Sequence, residues 1–482
     1  MEMGKPNIIF ILLDDYGWAD TTCYGSEFYE TPNLDRLCAE GMKFTDAYAS
    51  CPVCSPTRAS VMSGKYPARV GVTNFIDWSG RNHPNRGKLI DVPYFRYLPH
   101  EERSVAQAMK DGGYATWHVG KWHLGGPGFY PDEHGFEVNV GGCEHGSPGR
   151  GGYFSPWTIP VLDDVDVPDG TYLTDYLTDR VVDLIENRDD RPFFLNLWYY
   201  TVHTPIQAKR EKIEKYEEKA KKMGLDKIEP FEEGDFFPGE HKKDRRITRR
   251  TVQSDPVYAA MIESMDESVG RILDALEAAG IADNTAIMFT SDNGGLATSE
   301  GSPTCNAPLA EGKGWMYEGG TREPLIVKWP GVTPAGSVCD VPVTSTDYYP
   351  TILEMAGLDL IPDQHCDGVS IAPLLRGDDL ARDAIFWHFP HYGNQGGTPG
   401  SSVRAGDYKL IEFFESGHVE LYNLREDIGE ENDLADELPG VRDRLHALLK
   451  AWQEEIEAKI PEENPDFEPW QERPVWETNR GR

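Results

Sequence analysis

The stretch Cys51-Pro-Val-Cys54-Ser-Pro-Thr-Arg58-Ala-Ser-Val-Met-Ser-Gly64-Lys-Tyr-Pro67 sets a thiol close to hydroxyls and a guanidinium in one short segment. Ser55 followed by Pro56 reads as a helix cap and first helical position, which puts Cys54 beside a helix N-terminus. Backbone N–H groups and the helix dipole favour an anion there. By residue type alone the thiol has three readings: a redox partner of Cys51 on the Cys-x-x-Cys spacing, a zinc ligand, or an inert buried side chain. The first lacks the short thioredoxin-like domain that usually carries it, and the second lacks another Cys-x-x-Cys to complete the ligand set.

Other polar groups carry chemistry of a different kind. Asp14-Asp15 and Asp292-Asn293 offer carboxylate and amide oxygens, the donors that a hard divalent cation takes. Either pair alone reads as a helix cap or a turn; both together, at strand ends, read as a metal site. Lys121, His123 and His203 supply an ammonium and two imidazoles that can move protons near working pH. The alternative for each histidine, beside Trp122 or Thr204-Pro205, is a packed side chain.

Bringing these groups together requires a sheet. Short β-rich apolar runs at 7–13, 114–119, 192–200 and 285–290 each end at one of the polar clusters. Helical patterns fit between them, at 104–111, 172–187 and 258–279. Strands alternating with helices predict an α/β protein whose mostly parallel sheet is sandwiched by helices. Ligands in such a sheet gather at the carboxyl ends of the strands, where the polar residues sit.

Cys54-Ser-Pro-Thr-Arg58 followed by Gly64-Lys-Tyr-Pro67 matches the cysteine-x-proline-x-arginine maturation signature and its continuation in type I sulfatases. The paired aspartates, Gly120-Lys-Trp-His-Leu-Gly125, Asp292-Asn-Gly-Gly295 and Glu311-Gly-Lys313-Gly occur in the family's order. Over most of its length the chain resembles type I sulfatases of the alkaline phosphatase superfamily, and 398–424 resembles bacterial carbohydrate sulfatases. The resemblance implies that a sulfatase-maturating enzyme converts Cys54 to formylglycine. It assigns calcium, with magnesium the alternative, to Asp14, Asp15, Asp292, Asn293 and residue 54. It gives Arg58, Lys121 and Lys313 the sulfate and the aldehyde hydrate to hold, and His123 and His203 the protons. In the family mechanism one hydrate hydroxyl attacks sulfur, protonated His203, with Lys313, supplies the leaving alcohol's proton, and His123 takes a proton from the second hydroxyl to expel sulfate. Three aspartates, a divalent cation and three basic side chains leave a formal charge of about +2, which attracts a sulfate ester.

Substrate choice is expected from three loops carrying Trp78, Arg81 and His83; His145; and His388 and His391 with Arg404. They predict exo-acting removal of a 4-O- or 6-O-sulfate from galactose or N-acetylgalactosamine in a sulfated sugar or oligosaccharide. Two rivals are a phosphate or phosphonate monoester hydrolase of the same superfamily and, if Cys54 is never oxidised, a non-catalytic sulfated-glycan binder.

The length of 482 residues suggests more than one unit. We read a catalytic α/β unit over 1–378, interrupted by a charged insertion at 208–250. A smaller α+β unit over 379–460 follows, with short antiparallel strands at 384–389, 403–414 and 419–422 and a helix at 440–458. The tail, 461–482, is read as extended and docked through Trp470 and Trp476 on its own subunit or another. The insertion's basic end, 241–250, reads as a solvated face, with a lid over anionic substrate the alternative. The net charge of −34 disfavours nucleic acid and anionic membranes as partners. Its repulsion fades within about 10 Å at 0.1 M salt, so a locally positive pocket still captures one sulfated sugar end. Every apolar run falls short of the roughly 20 residues of a membrane span. The run at 7–13 stops at Asp14 without a small-residue cleavage site and is read as a strand rather than a signal peptide, which leaves a cytoplasmic protein or an exported one whose leader lies outside this sequence. The eight cysteines have no disulfide-framework spacing and are read mostly as buried thiols.

Overall fold

The computed structural model describes residues 4–77 and 87–468. The apolar run Asn7–Leu13 is wholly buried and forms the middle of a nine-stranded sheet. It pairs in parallel with Phe193–Trp198 on one side and Thr285–Ser291 on the other, and Ala115–Gly120 pairs in parallel beyond Phe193–Trp198. Leu12 lies opposite Trp198, Leu13 opposite Ser291, and Gly120 opposite Trp198. Four strands therefore finish at the same level. Near-continuous apolar runs, rather than alternation, mark these strands because helices cover both faces.

One face packs against Leu173–Glu186 and Pro256–Ala278, the other against Cys54–Ser63, Val105–Asp111 and Tyr348–Met355. Asp255 caps the long helix by accepting from the N–H groups of Val257 and Tyr258, and Ser104 caps Val105–Asp111 through the Gln107 N–H. The strand Arg322–Lys328 runs antiparallel to Thr285–Ser291 and to Met42–Tyr48, so the sheet is mostly, not wholly, parallel. No helix among the described residues is long and apolar enough to cross a membrane.

A second sheet of four antiparallel strands, Ile385–Phe389, Gly400–Ala405, Tyr408–Phe413 and Val419–Asn423, carries the helix Pro439–Glu455. The run expected as one strand over 403–414 is a hairpin. Ala405 pairs with Tyr408, leaving Gly406 and Asp407 as its loop, and Gly406 takes φ 61°, a conformation that suits glycine and turns the chain. The charged segment at 208–250 forms the helix Arg210–Met223 and the hairpin Phe231–Phe236/Arg246–Arg250. The expected tail residues Trp470 and Trp476 lie outside the described residues.

A buried charge network joins the two sheets. Lys409 Nζ lies 2.9 Å from Glu318 Oε1 and 3.0 Å from Glu430 Oε1. Tyr48 donates to Glu318 at 2.7 Å, Arg322 lies 3.1 Å from the same carboxylate, and Arg404 Nη2 lies 2.7 Å from Asp46. One lysine between two buried carboxyls cannot satisfy both as anions. Burial pushes Glu430 up to about 8, while Lys409 and the arginines, outweighing burial, hold Glu318 down to about 2. A carboxyl raised this way favours the folded state below its unfolded value of 4.5, and that advantage is lost as pH rises through about 8. Glu430→Gln is therefore expected to match the parent in urea unfolding at pH 5 and to exceed it at pH 9; equal pH slopes for the two proteins would refute this assignment.

Candidate active site

The helix Cys54–Ser63 is buried along its whole length. Its N-cap is Val53, not Ser55; the Ser55 hydroxyl instead accepts the Ile76 N–H at 3.0 Å and ties down the loop beside the thiol. Cys54 Sγ lies 3.3 Å from His123 Nδ1. His123 Nε2 is 2.8 Å from the Ile76 carbonyl oxygen, so Nε2 carries the hydrogen and the Nδ1 lone pair faces residue 54. Burial and Lys121 push this imidazole well below its ordinary pKa and hold it neutral.

The level strand ends bring the other groups to the thiol. Asp14 and Asp15 leave the central strand, and the Asp292 N–H donates to the Leu13 carbonyl at 3.1 Å, so Asp292-Asn293 turn beside them. Gly120 precedes Lys121 at φ 106°, and a Cβ there would meet the Trp198 carbonyl oxygen at 1.9 Å; glycine lets the chain turn tightly against its neighbour and aim Lys121 inward. Lys121 Nζ donates to both Asp14 oxygens, at 2.9 and 2.7 Å. Arg58 Nε donates to Asp292 Oδ2 at 2.8 Å, with its guanidinium 5.0 Å from the Trp198 ring centroid. Lys313 Nζ lies 2.8 Å from Asp15 Oδ2 and 3.2 Å from His203 Nε2. His203 Nδ1 donates to the Thr204 carbonyl at 2.7 Å, which leaves Nε2 as acceptor for the Lys313 ammonium.

Asp14, Lys121, Arg58, Asp292 and Asn293 are completely buried. Burial pushes Asp14 up and Asp292 up to about 6, whereas Lys313 and His203 outweigh burial at Asp15 and pull it down. Burial and Lys313 lower His203 to about 4, and Asp15 holds Lys313 well above the ordinary lysine value despite burial. Asn293 Nδ2 donates to Asp15 at 2.9 Å, yet its buried Oδ1 has no hydrogen-bond partner among the described residues. Ligand atoms of Asp14, Asp15 and His203 lie within 4.8 Å of one another. An orphaned amide oxygen among crowded carboxyls, two of them pushed toward neutrality, fits a hard divalent cation.

Cys54, His123, His203 and Lys313 open on a cavity of about 340 Å³ that Phe75–Asp77, His145–Ser147, Glu300, Asn394 and Gln395 also line. A Cβ at residue 146 would meet the His123 ring at 2.5 Å, so glycine lets that wall pass over the imidazole. His145 is thus at the pocket, with its buried Nδ1 unpartnered among the described residues.

Three expected substrate residues are elsewhere. Arg404 is taken up by Asp46 and Tyr48 between the sheets. His388 bonds Ser401 and the Lys459 carbonyl beside a different cavity, and His391 is fully buried against Thr73 and Asp91. Trp78, Arg81 and His83 lie outside the described residues. Glu300 and Gln395 were not expected. The available signal was weak, a charged residue in the turn-rich loop after Asp292-Asn293 and an amide beside Asn394.

A sequence profile for the family described as Sulfatase matches residues 6–358, and one described as N-sulphoglucosamine sulphohydrolase, C-terminal, matches 311–456. A protein named Sulfatase from Formosa agariphila is 34% identical over 93% of this chain and 88% of its own. N-acetylgalactosamine-6-sulfatase from Canis lupus familiaris is 32% identical over 80% of this chain and 68% of its own. Among solved structures, Ps i-CgsB in complex with k-i-k-neocarrahexaose superposes with a TM-score of 0.73 at 28% identity, covering 93% of this chain and 92% of that one.

Proposed function

The chain belongs to the sulfatase family, type I within the alkaline phosphatase superfamily, and is a sulfuric ester hydrolase; from that premise we propose that it removes a single O-sulfate, in exo fashion, from galactose or N-acetylgalactosamine. One observation carries the reading: buried residue 54 lines a small pocket with His123 Nδ1 turned toward it and Lys313 and His203 on the same wall. A cavity of about 340 Å³ is near the small end of ligand sites and suits one sugar ring better than the middle of a chain. The name of one relative supplies N-acetylgalactosamine and the 6-position, and galactose and 4-O-sulfate extend it.

Family members use formylglycine and a divalent metal. Oxidised by a maturating enzyme and hydrated, residue 54 supplies the nucleophilic oxygen for sulfur. Asp14, Asp15, Asp292 and Asn293, with residue 54, would hold a divalent cation, calcium on the oxygen donor set, which would supply Lewis-acid charge to the site. The chain's own groups do the rest. Lys121, Arg58 and Lys313 gather positive charge where the sulfate oxygens arrive. The proton for the departing alcohol is held between Lys313 Nζ and His203 Nε2; because Lys313 keeps it in this arrangement, His203 acts as relay as much as source. The Nδ1 lone pair of His123 takes the proton from residue 54 when sulfate leaves.

Matured protein is to be offered the 4- and 6-sulfates of galactose and N-acetylgalactosamine, an aryl sulfate and a matched aryl phosphonate. We expect release from at least one sugar sulfate and at least about 10²-fold lower kcat/KM on the phosphonate. Turnover of the aryl ester alone, or of the phosphonate in preference, defeats the sugar assignment.

A further inference from the structure

The pocket has a polar wall that sulfate handling leaves unused. Glu300 Oε1 accepts from Asn394 Nδ2 at 2.9 Å and from Gln395 Nε2 at 2.8 Å. Gln395 is 3% exposed, and its Oε1, buried at the pocket, has no hydrogen-bond partner among the described residues. Glu300 and Ser302 both adopt left-handed backbone, φ 55° and 42°, on either side of Gly301, a conformation that holds only where surroundings enforce it.

The surroundings do enforce it. Arg250 Nε donates to the Ser302 carbonyl at 2.5 Å and the Arg250 N–H to the Ala297 carbonyl at 2.9 Å. Lys242 Nζ donates to the Asn394 and Gly393 carbonyls at 2.9 and 3.2 Å. Arg249 pairs with Glu311, next to the Lys313 segment. The basic end of the charged insertion exposes residues 243–246 and Thr248 to solvent, while Lys242, Arg249 and Arg250 brace the loops that carry Asn394, Lys313 and Glu300.

A carboxylate with acceptor capacity left over, beside a buried amide oxygen with none of its own satisfied, suits hydroxyl donors. Glu300 and Asn394 are exposed at the pocket's rim, so the same carboxylate opposes a second anion a few ångströms away through water, a modest repulsion that salt weakens. We propose that Glu300, with Gln395 and Asn394, selects a sugar presenting free hydroxyls next to the ester being cleaved and rejects one that carries a second sulfate there. This rests on the assignment of a sulfated sugar as substrate.

The test compares matured parent and Glu300→Gln, which keeps shape and removes charge, on N-acetylgalactosamine 4-sulfate, 6-sulfate and 4,6-disulfate, with sulfate quantified by ion chromatography. At low salt the parent is expected to favour its preferred monosulfate over the disulfate by about fivefold in kcat/KM, and Glu300→Gln to remove most of that preference, chiefly through the KM of the disulfate. An unchanged ratio in a variant that cleaves both sugars, or a parent without the preference, overturns the selectivity assignment alone. A parent that releases sulfate from none of the sugars removes the sugar reading and this inference with it.

Discussion

Cys54→Ala is expected to lower sulfate release at least about 10³-fold, because it removes the atom on which a covalent route is built. Little else should change. The thiol's polar contact is with His123 Nδ1, and trimming a buried sulfur to a methyl typically costs on the order of 1 kcal/mol. The variant should therefore unfold near the parent's midpoint without calcium and, keeping four of the five proposed ligands, retain a weakened thermal response to calcium while its kcat collapses. Retention of more than about a tenth of the parent rate by a well-folded Cys54→Ala would mean that another group attacks sulfur.

The second large effect concerns the buried acids. Calcium that binds the folded chain but not the unfolded one stabilises it by about 2.7 kcal/mol at a hundredfold excess over its dissociation constant. Thermal unfolding of the parent should shift upward with calcium and downward with a chelator, most strongly when residue 54 is converted and supplies the fifth ligand. Asp292→Asn keeps the side chain's shape beside Arg58 Nε while discharging one oxygen ligand, so calcium affinity should fall at least about 10²-fold and the thermal response disappear over the same concentrations. Superimposable parent curves in calcium and chelator would rule out a cation among Asp14, Asp15, Asp292 and Asn293.

The parts of this site that are legible in sequence are those fixed by strand ends. Asn7–Leu13 and Thr285–Ser291 are long apolar runs bounded by polar clusters, and parallel pairing brings the residues just beyond them to one rim. Lys121 arrives there for the same reason. Pocket walls made of irregular loops are not legible in this way, since their positions depend on long-range contacts such as Lys242 with the Asn394 carbonyl. Arg404 shows the opposite case: an arginine close in sequence to a loop with His388, His391 and Asn394 reads as a substrate ligand, yet Asp46 and Tyr48, hundreds of residues away, occupy it. Reading 403–414 as one strand passes over a signal it contains: Gly406-Asp407 between Ala405 and Tyr408 is a two-residue hairpin turn.

The measurement that bears most directly on the whole account is sulfate release from N-acetylgalactosamine monosulfate by preparations that differ only in how much of residue 54 has been converted, the fraction being read as a peptide lighter by about 18 Da. The account predicts a rate proportional to that fraction, extrapolating to zero when all of residue 54 is thiol. Equal rates from converted and unconverted protein would contradict it.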